Sequence, residues 1–490
     1  MTERFTIRWL YLLSGIFIAL NSYFIYRDMY WLFLAPVVIG IILLSLLSID
    51  KLFMLIAIVT PLSLNLEEMD IGAAISLPSE GLIIGAMIVF LFKIFIEGSL
   101  DPRLVKHPVT IAIASYLLWI LVTSFTSEIP VVSFKYLATR LWFIITCFYL
   151  GVHVFKKEKN IPLFGWMYLA GLSAVVIYTT ARHAAWGFEK DPAHWVMEPF
   201  YYDHTQYGAM LAFFFPFVIG YTFFNRHGLF VKILTASVAA IISVGLFLSN
   251  SRAAWLSVLI AAGILVIMVL RIRWYMVFGI AALLFGIYWI NRTEIIMKLE
   301  KNKQDSSENF SEHIQSMSNI SSDASNLERL LRWNCAIRMY NERPVLGWGP
   351  GTYSFVYAPF QKSYELTIIS TNFGDGGNAH SEYLGPLSEQ GLMGLINVVL
   401  IIVTTFITAC RVIYSNASRR VKQLCMFALL SLCTYWMHGF LNNFLDTDKA
   451  AVPYWGFIAM IVALDIYHRP RSNENGRPGK RYRPYTADPA

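Results

Sequence analysis

Long apolar runs separated by short polar breaks make up most of this chain. Runs of spanning length lie near residues 7–26, 30–48, 51–66, 80–97, 107–126, 134–155 and 161–182. They resume near 205–224, 231–249, 253–270, 272–290, 390–413, 420–441 and 451–468. About 20 apolar residues cross the hydrocarbon of a bilayer as a helix, so the pattern predicts roughly fourteen candidate spans, the third and last being short. The fold class expected is all-α: a polytopic helical membrane protein of about 12–14 transmembrane helices with one large polar loop.

That loop runs from Asn291 to Leu387. Its first part, KNKQDSSENFSEHIQSMSNISSDASN, is rich in Ser and Asn without an apolar period and reads as a flexible segment. From Asn326, the recurrence of Leu327, Leu330, Leu331, Asn334 and Ile337 predicts a helix that Pro344 ends. GWGPG, Gly347 to Gly351, reads as a turn and lacks the Lys-Ser/Thr of a phosphate-binding P-loop. The chain thus divides into an N-terminal bundle (1–290), a loop domain (291–388), C-terminal transmembrane helices (389–468) and a basic tail (469–490), RPRSNENGRPGKRYRP and onward, expected to be disordered.

Basic residues set the orientation. A cytoplasmic N-terminus puts Arg103, Lys106, the KKEK run at Lys156 to Lys159, Arg226, Lys232, Arg271, Arg273, Arg419, Arg420, Lys422 and the tail on the inner side. The opposite loops, with Glu67 to Asp70, Glu128 and Asp446, are poor in Lys and Arg. The large loop then lies outside the cytoplasm, and both termini are cytoplasmic. Composition agrees: 56% of the 490 residues are hydrophobic and only 14% charged, an apolar excess that must face lipid. The net charge of +7 is absorbed by this topology, so nucleic acid is not an expected partner. The first run lacks a small-residue cleavage site and reads as a first span. Cys335 has no partner in its own loop and Cys147, Cys410, Cys425 and Cys433 fall in apolar runs, so no disulfide framework is implied.

Cations on the outer side break the pattern. Lys135, Arg140, Arg182 and Arg252 lie at outer ends of spans, with Arg140 about 10 Å along its helix from Ser133. An arginine at mid-membrane costs around 3 kcal/mol on insertion scales, so each usually faces a cavity, a headgroup or an acid such as Glu128. With Arg329, Arg332, Arg338 and Arg343 on the same side, they suggest an outward-facing basin for a polyanion, and diphosphate suits the guanidinium fork. His380 sits at the water–membrane boundary. A single histidine there is more often a surface residue, but beside cations a neutral imidazole becomes a good general base. His183, His194, His204, Asp191 and Asp203 lack compact ligand spacing, so no metal and no cofactor is expected.

Three pieces carry a resemblance to the O-antigen ligase and polymerase superfamily of bacterial envelope glycosyltransferases. They are SNSRAAW (Ser249 to Trp255), Arg329 four residues before Trp333 leading to RPVLGWGPGTYSF, and NAHSEYLGPLSEQGLMGL (Asn378 to Leu395). The family commonly has Asn after the histidine, where this chain has Ser381, which puts an acceptor contact by that amide in doubt. Glu389 keeps the acidic position of the closing piece, as a catalytic group or as a hydrogen-bond partner of the loop.

The resemblance implies transfer of a glycan from undecaprenyl diphosphate to an acceptor hydroxyl at the periplasmic face, metal-independent and inverting. The donor diphosphate falls to Arg252 and Arg329, with Arg140 and Arg182 as further contributors, and the base role to His380. Lipid A-core is the acceptor in a ligase, the reading favoured here; a carrier-linked repeat is the acceptor in a polymerase, and a protein hydroxyl in related enzymes. A lipid-linked glycan transporter would place its charges near the midplane, whereas these collect on one face. A structural scaffold leaves Arg140 and His380 unexplained.

Overall fold

The computed structural model describes residues 2–27, 48–65, 76–98, 100–224, 228–273, 324–363 and 377–470, with isolated positions at 40, 366, 370 and between 275 and 290. The expected spans at 30–48 and 272–290, the Ser/Asn-rich stretch to 323 and the basic tail beyond 470 lie outside the described residues.

Among the described residues the chain is all-α apart from one two-residue strand pair, Leu64–Asn65 with Ser76–Leu77. Helix α1 is Thr2–Tyr26, α2 Ile49–Val59, α3 Ser79–Glu97 and α4 Pro108–Phe125. Helix α5 covers Pro130–Phe143 and continues through a π-helical stretch, Ile144–Leu150, to Val154. Next come α6 (Asn160–Ala185), α7 (His204–Phe224), α8 (Leu229–Leu248), α9 (Arg252–Val269) and α10 (Ala324–Glu342). The chain closes with α11 (Leu384–Ile413), α12 (Arg419–His438) and α13 (Asp448–Ala463). Among the described residues nine helices are long and apolar enough to cross a membrane. Helices α1, α2 and α12 match expected runs but fall outside that set, α1 through only a shorter apolar stretch, Ser14–Tyr26.

Helix α13 is the central pillar. Its span to His468 is 94% buried within the protein, against 22% for α9, so α9 presents most of its apolar surface outward and α13 almost none. Small residues let neighbours close on the pillar: Gly456 of α13 meets Phe164 of α6, and Gly151 meets Ala459. Its first turn carries a buried ion pair network. Lys449 Nζ donates to the carbonyls of Thr60 (2.7 Å) and Ser63 (2.6 Å), in and just after the 3₁₀ turn that follows α2. Asp448 Oδ2 accepts from Ser63 Oγ (2.7 Å) and Ser79 Oγ (2.5 Å). An unsatisfied backbone carbonyl in hydrocarbon costs several kcal/mol, and the lysine removes that cost where α2 stops.

The loops gather into two sets. One set is joined by Glu128 N–H to Trp348 O (3.0 Å), Gln206 Nε2 to Thr447 Oγ1 (2.9 Å) and Glu382 N–H to Gly439 O (2.8 Å). The other is joined by Lys157–Asp50 (2.7 Å), Arg420–Glu158 (3.2 Å) and Tyr467 O–H to Asp101 (2.9 Å). Membership of each set is the one that alternating basic loops assign to each membrane side. Reporter fusions inside the loops at Glu158 and at Lys190 should therefore give opposite compartment signals, the first cytoplasmic and the second periplasmic. A shared signal would overturn the topology.

Candidate active site

Helix α10 positions the first motif. It packs through Leu331, Cys335, Ala336 and Met339, which join Trp348, Tyr353, Tyr357 and Ala379 in a small core of their own. The sequence pattern included Ile337 in the inward face; the structure exposes it at 44%, because the stripe Leu331–Cys335–Met339 faces the turn and Ile337 is rotated away from it. The indole N–H of Trp348 donates to Met339 O (3.0 Å), and the Tyr353 hydroxyl to Arg332 O (2.7 Å).

The glycine turn is a fastener. Gly347 has φ +68°, and a Cβ there would lie 2.3 Å from the Glu389 carbonyl carbon. Gly391, also at φ +68°, breaks α11 and would meet the Val345 carbonyl oxygen at 2.2 Å. Only glycine permits this approach of turn to helix. Glu389 completes it, its Oε2 accepting from Gly351 N–H (2.9 Å) and its Oε1 from Tyr353 N–H (3.0 Å). Of the two roles open to Glu389 from sequence, the hydrogen bond to the loop is the one its geometry performs.

His380 lies on the strap that leads into α11. Its φ of +47° is unusual for a residue with a side chain, and Asn378 Oδ1 accepts its backbone N–H (3.0 Å). Trp333 Nε1 donates to the His380 carbonyl (3.4 Å), so the two motifs meet here. Ser381 is buried, and its Oγ accepts from the N–H groups of Tyr383 and Leu384 (3.3 Å each). That is a helix cap, which Asn would make equally well, so the departure at this position preserves a structural task. Burial, then the charges of Arg329 and Arg332, lowers the His380 imidazole to about 4, leaving it neutral at pH 7.

The candidate residues fall into distinct places. Arg329 lies within electrostatic reach of His380, and Arg329 and Arg252 both reach His204. His204 meets His194 edge to face, with ring centroids 4.2 Å apart and Nδ1 atoms 3.1 Å apart. The sequence weighed these histidines as metal ligands and set that reading aside for want of compact spacing. Among the described residues no group of three or more His, Cys, Asp or Glu side chains is arranged to hold a metal ion. Asp203 caps α7, its Oδ1 accepting from Gln206 N–H (2.7 Å), and its charge also reaches His380.

Arg140 lies apart from this group. Its guanidinium bonds Asp446 (2.5 Å), the Tyr136 hydroxyl (2.7 Å) and the Leu445 carbonyl. Arg182 holds the loop after α6, donating to Glu198 O (2.5 Å) and lying over the Trp195 ring. The expected basin narrows further: Arg332 pairs with Glu328 (2.7 Å), Arg338 donates to Phe360 O (2.7 Å), and Arg343 pairs with Glu128 (2.9 Å). Glu382, on the same strap as His380, accepts from Tyr435 O–H (2.7 Å), Phe444 N–H (2.8 Å) and Leu445 N–H (2.9 Å). Sequence reasoning passed over Glu382; its signal was an acid beside an apolar run in a loop otherwise poor in reasons for one.

The fold and site define a multi-pass membrane protein with a histidine and arginines assembled at one end of its helices. Residues 235–399, about a third of the chain, match the family model Wzy_C, described as O-antigen ligase, and this match supports the O-antigen ligase superfamily for the chain. The matched segment contains Arg252, Arg329 and His380. No curated protein matches the chain. The family supports a ligase- or polymerase-type enzyme in general, with lipid-linked glycans as substrates.

Glu389→Ala should lower the thermal midpoint of the protein in lipid or detergent. It strands two backbone donors, and hydrogen bonds to a charged group are worth about 1.5–3 kcal/mol each. Glu389→Gln, which keeps one acceptor oxygen, should recover part of the loss. An unchanged midpoint for the alanine variant would show that the turn does not depend on this carboxylate.

Proposed function

We propose that the protein is an O-antigen ligase-like glycosyltransferase that moves a glycan from undecaprenyl diphosphate to a hydroxyl of lipid A-core at the periplasmic face of the inner membrane. The observation that carries this reading is the convergence of Arg252 and Arg329 on His204, with Arg329 also beside His380, at the loop-bearing end of the bundle. The matched family supports a ligase- or polymerase-type transfer, and the ligase is the reading proposed here.

The acceptor oxygen attacks the anomeric carbon while the bond from that carbon to the diphosphate oxygen breaks, its electron pair leaving with the diphosphate. Attack from the face opposite the leaving group inverts the anomeric centre. Arg252 and Arg329 hold the charge that grows on the diphosphate, a role that a metal ion fills elsewhere, so transfer is metal-independent. Arg140 and Arg182 hold the surrounding loops in place. His380 takes the acceptor proton as the new bond forms.

The pH dependence follows from the imidazole. A base works when unprotonated, so kcat/KM rises with pH through the free-enzyme value of about 4 and is flat from about pH 5.5 to 8. Bound diphosphate offsets the arginine charge and favours protonation, so the acid limb of kcat lies at higher pH than that of kcat/KM. His380→Ala should insert normally and lose about 10²- to 10⁴-fold in turnover. A limb of kcat/KM near 6.5, or near-normal turnover by the variant, would remove the assignment.

A lipopolysaccharide gel of a deletion strain tests the function. Loss of all O-chains on core is expected; a single capped repeat would indicate a polymerase instead. In the same strain Arg252→Lys, which keeps charge but loses the bidentate fork, should express and fail to restore the ladder. Full complementation by the lysine variant at native expression would refute diphosphate clamping by Arg252.

A further inference from the structure

A cavity of about 180 Å³ borders the strap that carries His380. Asn378, Ala379, Ser381, Glu382 and Tyr383 line it, so it is bordered by both chain neighbours of His380. Eight aromatic side chains face it, among them Tyr116, Tyr136, Trp436 and Trp455.

We propose that this cavity is a saccharide subsite that holds one ring of the acceptor glycan while its hydroxyl is presented at the His380 strap. The proposal rests on the transfer reading above. Its walls exclude the rival ligands. The one guanidinium in the lining, Arg140, is already paired with Asp446, and the other acidic groups, Glu382 and Glu389, add no cation, so the lining disfavours a second phosphate. Four ionisable groups in one wall disfavour a hydrocarbon chain.

A neutral, hydroxyl-rich ring fits both properties. Its C–H faces pack on the electron-rich faces of Tyr and Trp, and its edges meet polar groups. The wall also holds an orphan pair: Trp455 Nε1 is a buried donor and Asn443 Oδ1 a buried acceptor, neither with a protein partner. A sugar hydroxyl donates and accepts, so it satisfies either. On this reading the cavity holds the acceptor ring and Arg252 and Arg329 hold the donor diphosphate.

The test is saturation-transfer NMR on the full chain in lipid nanodiscs, with glucose, galactose, N-acetylglucosamine and N-acetylgalactosamine as probes to roughly 0.1 M, a range that covers a Kd of about 1–10 mM. Ring protons of at least one sugar should receive saturation. Ser354→Trp, which fills the cavity from a half-exposed position, should abolish the signal, and Asn443→Ala should reduce it several-fold. His380→Ala should leave it intact. No saturation for any sugar, or an undiminished signal in correctly inserted Ser354→Trp, overturns the proposal. Because the readout needs no turnover, sugar binding without transfer would sustain the subsite and count against the transferase reading alone.

Discussion

The arrangement of this protein depends on satisfying backbone polar groups where chain leaves the membrane. A helix crossing lipid closes its own hydrogen bonds, but its ends and the irregular chain beyond them cannot. Here side chains from distant sequence supply the partners. Lys449 serves the carbonyls at the broken end of α2, Glu389 the N–H groups of the glycine turn, and Glu382 those of the loop between α12 and α13. Each is an ionisable residue placed where water is scarce, and each has a specific backbone group to meet.

These contacts also explain why the arginines divide. A guanidinium with a nearby carboxylate and carbonyl settles there, as Arg140 does with Asp446 and Arg343 with Glu128. Such residues orient loops. Arg252 and Arg329, with His380 and His204, form the group whose charges act on one another, and three of these four lie inside the segment matched by the family model. The strap bearing His380 is held on one side by the Trp333 indole and on the other by Glu382 and Tyr383, which bond to α12 and the following loop. On the proposed reading His380 is a base, and a base held at both flanks is pre-organised for proton transfer, with burial keeping it neutral.

Much of the fold was legible in the sequence because hydropathy reports directly on lipid. The spans, the all-α class, the helix ended by Pro344 and the turn at Gly347 to Gly351 each follow from local chemistry: apolar length, helical period, or glycine's access to positive φ. Loop charge was equally local, and the two loop sets in the structure have the membership it assigns. The resemblance to O-antigen ligases could be read from short motifs, since Arg, Trp and His occupy fixed places along the chain.

What the tertiary structure alone decided is which of those residues meet. Arg140, Arg182, Arg252 and Arg329 are alike in sequence, each a cation on the outer side, and nothing local separates them. Partners more than 300 residues away do so for Arg140, and partners within 16 residues for Arg182. Ile337 is apolar and in helical register, yet the packing of Trp348 and Tyr353 against α10 sets the buried stripe beside it. The cavity beside the His380 strap belongs wholly to this level, drawing its walls from α4, α5, the α10–α11 connection, α12 and α13. Hydropathy and motif spacing are properties of neighbours along the chain, whereas pairing and cavity shape are set by contacts between residues that the sequence keeps far apart.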